Sequence, residues 1–311
     1  MAELTIRPFS NADLPGLFSV WIDHWQAARY QVQVTITALE RAILSRIFFD
    51  PNQLLVACLD GQIAAWSHRF IETDPETNAR TATVASFSFG KEDGLLACDP
   101  LLAATEDACR NESAQSIRFG IARDDRYGYA GLHPIGYGIG VPTADTRTAS
   151  LLSRFGYCVE SQWQRFQTTT STYRVRANRQ FLQLRRQSRV DVRAALPKAG
   201  FRGIALSHLD VETHQLVNHL RRQVTADIDL WLSDLEVQIM NGGQGILALS
   251  GEPLTPEQQF LISMVIPTLA TRNIYEVETA INDSESQLVD QLSQLNFQAI
   301  ERGRQWVKML S

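Results

Sequence analysis

Several things are scarce in this chain of 311 residues, and each scarcity excludes a class of protein. The four cysteines, Cys58, Cys98, Cys109 and Cys158, stand far apart with no Cys-x-x-Cys pair. That spacing offers neither a disulfide framework nor a zinc site and suits a reducing compartment, so a cytoplasmic location without a metal is expected. Long apolar runs are missing too. Nothing approaches the roughly 18 apolar residues of a membrane span, and the start, MAELTIRPFSNADLPGLF, lacks the basic opening and apolar core of a secretory leader. No membrane partner is expected. The net charge of −5 leaves no global basic excess to draw the protein onto nucleic acid. Asn111-Glu112-Ser113 and Asn282-Asp283-Ser284 match a glycosylation acceptor, but without a leader they read as chance.

What remains is an ordinary globular composition, 44% hydrophobic and 20% charged, at a length that favours two compact units. Residues 174–202 carry nine basic side chains against one acid, Asp191. That shift predicts a boundary near residue 170 and a solvated basic connector over 171–200 rather than a phosphate-binding strip.

In the first 170 residues the apolar period switches repeatedly. Leu4–Arg7 reads as a strand, followed by Leu14, Leu17, Phe18, Trp21, Ile22 and Trp25 at helical spacing and a second helical run over 36–47. Segments 53–59 and 62–71 are rich in strand formers and joined by Asp60-Gly61, a strong hairpin signal. A strand over 81–89 leads to a helix over 101–110 with Asp99 as its cap, then a strand over 116–122, a helix over 146–155 and a strand over 158–168. Early antiparallel pairing with later αβ crossovers predicts an α/β sandwich.

This succession resembles the GNAT family of acyl-CoA-dependent N-acyltransferases. Ile6-Arg7-Pro8-Phe9 with Ala12-Asp13-Leu14 is similar to its opening strand and helix, LLVACLDGQIAAWSHRF to its second and third strands, and Asp145–Tyr157 to its late helix with a Gly-aromatic step. Residues 285–297 repeat that late helix, with Asn296 at the place of Gly156, and each copy runs into a strand bearing a tryptophan, Trp163 or Trp306. The resemblance implies an α/β fold of two GNAT-like mixed-sheet sandwich units in tandem. The domains expected are 1–170, a connector over 171–200, and a degenerate unit over 201–311. The second is expected to be truncated, because 211–222 and 229–240 read as helical and leave no room for a full meander.

The resemblance also implies an acyl-CoA co-substrate, acetyl-CoA or another, and an amine acceptor, a small molecule or a peptide; a homodimer is possible. Donor contacts are expected from Phe87, Phe89, Lys91, Gly94, Leu95 and Leu96, where a nest of amides at a helix start suits a pyrophosphate. The motif is partial: Leu96 stands where a small residue is usual, and Glu92 and Asp93 bring negative charge into the loop. In the second copy, Thr255 and Gln258 form a capping box that satisfies its own helix start. The tyrosine that commonly protonates the leaving thiolate is Leu152 in one copy and Leu292 in the other. Replacement acid–base groups are sought in a long inserted loop carrying Tyr127, Tyr129, His133 and Tyr137, and in His68 and Glu72, which share a strand face. His214 and His219, five residues apart, do not suggest a metal site, and Gly136–Gly140 lacks the third glycine of a dinucleotide loop. A transferase and a non-catalytic module that kept the fold are the two functions these residues leave open.

Overall fold

The computed structural model describes residues 3–310 apart from 33, 124–125, 175–177, 195–200 and 234–242. The chain divides into two compact units, 1–162 with 303–311, and 163–302. The division thus falls eight residues before the expected one, and the final strand belongs with the first unit. Among the described residues no helix is long and apolar enough to cross a membrane.

In the first unit, β1 (Leu4–Pro8), α1 (Leu14–Ala27), α2 (Ile36–Leu39), β2 (Leu54–Leu59), β3 (Gln62–Thr73) and β4 (Arg80–Phe89) come first. They are followed by α3 (Asp93–Asn111), β5 (Ser116–Phe119), β6 (Val141–Pro142), α4 (Thr146–Arg154) and the start of β7 (Cys158–Thr169). Strands β1 to β4 pair antiparallel in order, and β5 pairs parallel with β4. The β2–β3 turn has positive φ at both Asp60 and Gly61, the geometry that matches strand twist and that the Asp-Gly pair favours. Helix α1 turns Leu17, Val20, Trp21, His24 and Trp25 inward, and the Trp66 indole donates to the Leu17 carbonyl at 3.1 Å, tying α1 to β3. Helices α3 and α4 share a core on the other face with Phe87, Phe89, Leu101, Leu102, Leu151 and Leu152.

Helix α3 begins at Asp93, not after Asp99. Asp99 is therefore not its cap; it faces Arg154 with contacts of 2.8 and 3.0 Å. Pro100 lies inside the helix, and the carbonyl it deprives of a donor is that of Leu96, a residue open to water. Local capping chemistry pointed to a later start, and the packing of Ala97 and Cys98 against the sheet outweighs it.

In the second unit, β7 runs on into α5 (Arg179–Gln187), β8 (Ser188–Ala194), α6 (Phe201–Ala205), β9 (Leu209–Asn218) and β10 (Val224–Ser233). Then come β11 (Gln244–Ala248), α7 (Pro256–Leu269), β12 (Glu276–Asn282), α8 (Ser286–Gln294) and β13 (Gln298–Met309). Strands β8 to β11 pair antiparallel in order, and β12 pairs parallel with β11. The meander is complete, which corrects the expected truncation. The segments read as helical over 211–222 and 229–233 lie largely in β9 and β10, where Ala226, Ile228, Leu230 and Leu232 bury every second side chain; 234–240 falls outside the described residues. What is short in this unit is the link between its first two strands, where the first unit places α1 and α2. The stretch expected as a connector holds α5, capped by Asn178 on the Phe181 amide, and the edge strand β8.

Each unit boundary falls inside a long strand. Residues 303–309 of β13 pair with β5 and β6 in the first unit, while residues 163–169 of β7 pair with β12 in the second. In the first unit this seats Trp306 opposite Phe119 and holds Lys308 2.8 Å from both Glu106 carboxylate oxygens on α3. We predict that Trp306→Ala costs the first unit about 3–5 kcal/mol. Hydrogen exchange should show lost protection at 116–119 with 244–248 and 276–282 unchanged; equal loss in both units would contradict the assignment of the final strand.

The second unit buries a carboxyl. Burial pushes Glu278 up to about 7, Arg165 at 3.3 Å opposes the rise, and Glu276 and Glu301 add repulsion. Because the folded value lies above the ordinary one of about 4.3, this contribution is fully present below about pH 4 and is lost as pH rises through about 7. Urea unfolding followed by exchange in 276–282 should show a more stable second unit at pH 5 than at pH 8, and Glu278→Gln should flatten the difference.

Candidate functional site

The parallel β4–β5 pairing ends at Val84 opposite Phe119, and β4 continues alone on that side to Phe89. At the same point β4 carries a bulge: His68 faces Ser86 and Arg69 faces Val84, leaving Ala85 unmatched. A bulge adds twist and re-aims the side chains that follow. It sets His68, Trp66, Ser86 and Ser88 on the α1 face and Phe87 and Phe89 on the α3 face.

The inserted loop covers the α1 face. Tyr129 and His133 are buried and Tyr127 and Tyr137 half-buried, so the loop is a packed lining rather than a flexible surface excursion. Gly136 makes this possible, because any side chain there would strike the Tyr129 carbonyl. The Tyr129 hydroxyl meets His68 Nδ1 at 2.8 Å, and its ring stacks on Trp21, which stacks on Trp66. Burial, with a smaller push from Arg69, lowers His68 to about 3, so the ring is neutral at physiological pH. Tyr127 donates to Glu72 at 2.9 Å, with Arg126 at 3.4 Å from the same carboxylate. Glu72 faces Thr81 at the closed end of the β4–β5 pair, about 13 Å along β3 from His68 at the usual strand rise. His133 and Tyr137 form a third group, their rings stacked with centroids 4.1 Å apart. The six candidate acid–base residues therefore fall into three pairs: His68 with Tyr129, Glu72 with Tyr127, and His133 with Tyr137.

The expected donor-site residues divide as well. Phe87 and Phe89 are core residues, whereas Lys91, Leu95 and Leu96 are exposed. Gly94 is buried, and a Cβ there would lie 2.7 Å from the Phe89 carbonyl carbon, so its role is helix docking as much as access for a ligand. No side chain caps the start of α3; the Leu95 amide turns back to the Glu92 carbonyl at 3.0 Å, and the amides of Asp93 and Gly94 are left to be satisfied from outside the helix. They open on a cavity of about 510 Å³ lined by Gly16, Ser19 and Asp23 of α1, Gln62 to Ala64 of β3, and Gly90 to Gly94. Charges in that lining conflict: Lys91 is positive, and Asp23, Glu92 and Asp93 are negative. At the corresponding start of α7, Thr255 and Gln258 form the capping box read from the sequence, with bonds of 3.0 and 3.2 Å.

One pair was missed. His24 reaches from α1 to the free edge of β4, where its Nδ1 accepts the Phe89 amide at 3.3 Å and its Nε2 lies 3.1 Å from Asp145. With Nδ1 accepting, the ring proton sits on Nε2 and points at the carboxylate. Burial raises the Asp145 carboxyl, but His24 and the Thr148 hydroxyl and amide outweigh it and hold the group below the usual range. Arg147 lies over the Phe89 ring at 4.3 Å and donates to the Gly90 carbonyl. The signal for His24 was its place on the stripe of Leu17, Trp21 and Trp25, a face that buries whatever it carries.

No family model and no curated protein matches the sequence. Solved structures do match its fold. A glucosamine N-acetyltransferase region related to GCN5, in a fungal multi-domain GH3 β-N-acetylglucosaminidase, aligns over 99% of this chain with a TM-score of 0.68 at 12% identity. This chain spans only 38% of that one. A tandem GNAT protein from the clavulanic acid biosynthesis pathway aligns over 99% of this chain and 98% of its own, with a TM-score of 0.65 and 12% identity. A GCN5-related N-acetyltransferase from Sphaerobacter thermophilus covers 98% of this chain and 95% of its own, with a TM-score of 0.62 and 11% identity. The chain has the tandem GNAT fold that its sequence resembles.

Removing Asp145 strands the buried His24 Nε2–H and uncaps the Thr148 amide. Asp145→Ala is expected to destabilise the protein by about 2–4 kcal/mol in urea unfolding. A loss below 1 kcal/mol would mean that His24 and Asp145 do not hold the edge of β4.

Proposed function

We propose that the first unit is an acyl-CoA-dependent N-acyltransferase, with acetyl-CoA the foremost donor, that passes its acyl group directly to an amine, and that the second unit is non-catalytic. The observation that carries this reading is the contrast between two matching helix starts. That of α3 is uncapped and opens on a cavity, while that of α7 closes on its own capping box. Unpaired amides at a helix start suit a diphosphate, and the α7 capping box already takes the amides of Thr255 and Gln258. The solved structures of this fold described as acetyltransferases support the same reading.

The donor's thioester supplies an electrophilic carbonyl. In this chain the leading amides of α3, with Lys91 beside them, would hold the pyrophosphate, and Leu96, 64% exposed, turns away from them. Tyr129, held against His68 of β3 and Trp21 of α1, carries a hydroxyl able to pass a proton to the leaving thiolate. His68 is too weak a base to keep a proton, and it orients that hydroxyl. Glu72 with Tyr127 lies where a cationic amine, from a small molecule or a peptide, would first meet a carboxylate. The compartment we assign is the cytoplasm.

A second reading, a non-catalytic binding or assembly module, is favoured by one observation. His24 and Arg147 already occupy polar groups of Phe89 and Gly90 at the end of β4.

Calorimetric titration with acetyl-CoA and longer acyl-CoAs separates the two. On the first reading the wild type binds, ligand at 100 times its Kd adds about 2.7 kcal/mol of stability, Lys91→Ala weakens binding and Asp93→Asn strengthens it severalfold. Absence of both heat and stabilisation with every acyl-CoA would establish the second reading.

A further inference from the structure

We propose that the α1-facing side of β3 and β4 in the first unit is a binding site for a small uncharged polar molecule bearing a hydroxyl or a carboxamide, formed by His68, Ser86, Ser88, Trp21 and Tyr129. The site stands whether or not this unit transfers an acyl group.

Four polar atoms on this face, His68 Nε2, Ser86 Oγ, Ser88 Oγ and Trp21 Nε1, are buried and have no hydrogen-bond partner among the described residues. Folded proteins leave few such groups, and those that persist call for a partner the fold does not supply. Three of the four share one patch of sheet, because His68 and Ser86 are cross-strand partners and Ser88, two residues on from Ser86, pairs with Trp66. The Trp21 ring covers the patch at 5.7 Å from Trp66 and 6.2 Å from Tyr129. The Tyr129 hydroxyl engages His68 Nδ1 and leaves Nε2 to face a ligand. The bulge at Ala85 brings Ser86 beside His68 at the place where β4 parts from β5.

The donor set defines the ligand. Two serine hydroxyls can donate or accept a hydrogen bond, the indole only donates, and the free imidazole nitrogen donates or accepts according to the ring's tautomer. A group that both donates and accepts, an alcohol or a primary amide, satisfies such a set. No charged side chain belongs to it, and His68 stays neutral at physiological pH, so an ammonium or carboxylate would lose its hydration without an ionic partner. Aromatic faces on either side supply the apolar walls usual in small-molecule sites.

Saturation-transfer NMR on the full chain tests this with acetamide and glycerol as neutral probes and acetate and methylammonium as charged ones. Transfer to acetamide or glycerol is expected, none to the charged pair, and at least tenfold weaker binding in the Ser86→Ala/Ser88→Ala variant. That variant should melt no lower than the wild type, because it removes two unpartnered hydroxyls, and this separates lost binding from lost fold. His68→Phe, similar in shape, gives a second reading of the same loss. The proposal is overturned if neither neutral probe receives saturation, if the double variant binds as the wild type does, or if the charged probes bind equally well.

Discussion

The first unit depends on a strand that the chain supplies last. Residues 303–309 lie along β5, seat Trp306 in the core against Phe119, and fasten Lys308 to Glu106 on α3. Without them β5, only four residues long, would be an exposed edge with few contacts of its own. Because β5 is held from that side, its pairing with β4 can stop at Val84 and leave the last five residues of β4 open. The α3 start lies just beyond the end of that opening, and His68 and Ser86 stand at the bulge where it begins, whereas Glu72 lies at the closed end of the pair. The second unit has the converse arrangement, with 163–169 of β7 lying along β12.

Electrostatics then decide what the opening can accept. The start of α3 presents uncapped amides, a positive potential by geometry alone, yet Asp23, Glu92 and Asp93 share its cavity with Lys91. A diphosphate there would gain the amides and Lys91 and work against three carboxylates. His24 adds a competition of another kind, since any extended ligand that paired with the edge of β4 would have to displace it from the Phe89 amide. Transferase and binding module thus differ in the outcome of two local contests, not in fold.

The first unit was largely legible because its signals are local. Asp60-Gly61 fixed a hairpin, the apolar stripe fixed α1, and the even spacing of His68 and Glu72 along the third strand placed them on one face. The start of α3 was not legible, because Asp99-Pro100 carries the chemistry of a helix start while the packing of Ala97 and Cys98 extends the helix across it. Strands β9 and β10 were hidden for a similar reason. Leu216, Val217 and Leu220 sit at helical spacing, and only pairing across the sheet shows that Leu216 and Val217 belong to a strand. Ser86 and Ser88 alternate with Phe87 and Phe89, a pattern that reads as a half-exposed strand. Nothing local shows that α1 and a distant loop cover the serine side.

That covered serine face explains why the inserted loop is buried at all. A loop of some twenty residues would be cheaper in water, where its backbone groups find partners freely. Here its Tyr129 packs on His68 and Trp21, beside two serine hydroxyls, an imidazole nitrogen and an indole N–H without a hydrogen-bond partner among the described residues, each costing about 1–3 kcal/mol. Alanine at the two serines would line the same face without that cost. A polar face that is both buried and unsatisfied breaks the agreement between pattern and packing that holds elsewhere in this unit. Such a break is expected where a chain gives up stability to keep a site. The Asp145–His24 pair does not share this character, because its ring nitrogens and carboxylate are satisfied within the protein. It works as a pin, and the serine face, with its partners still to come, has the character of a receptor.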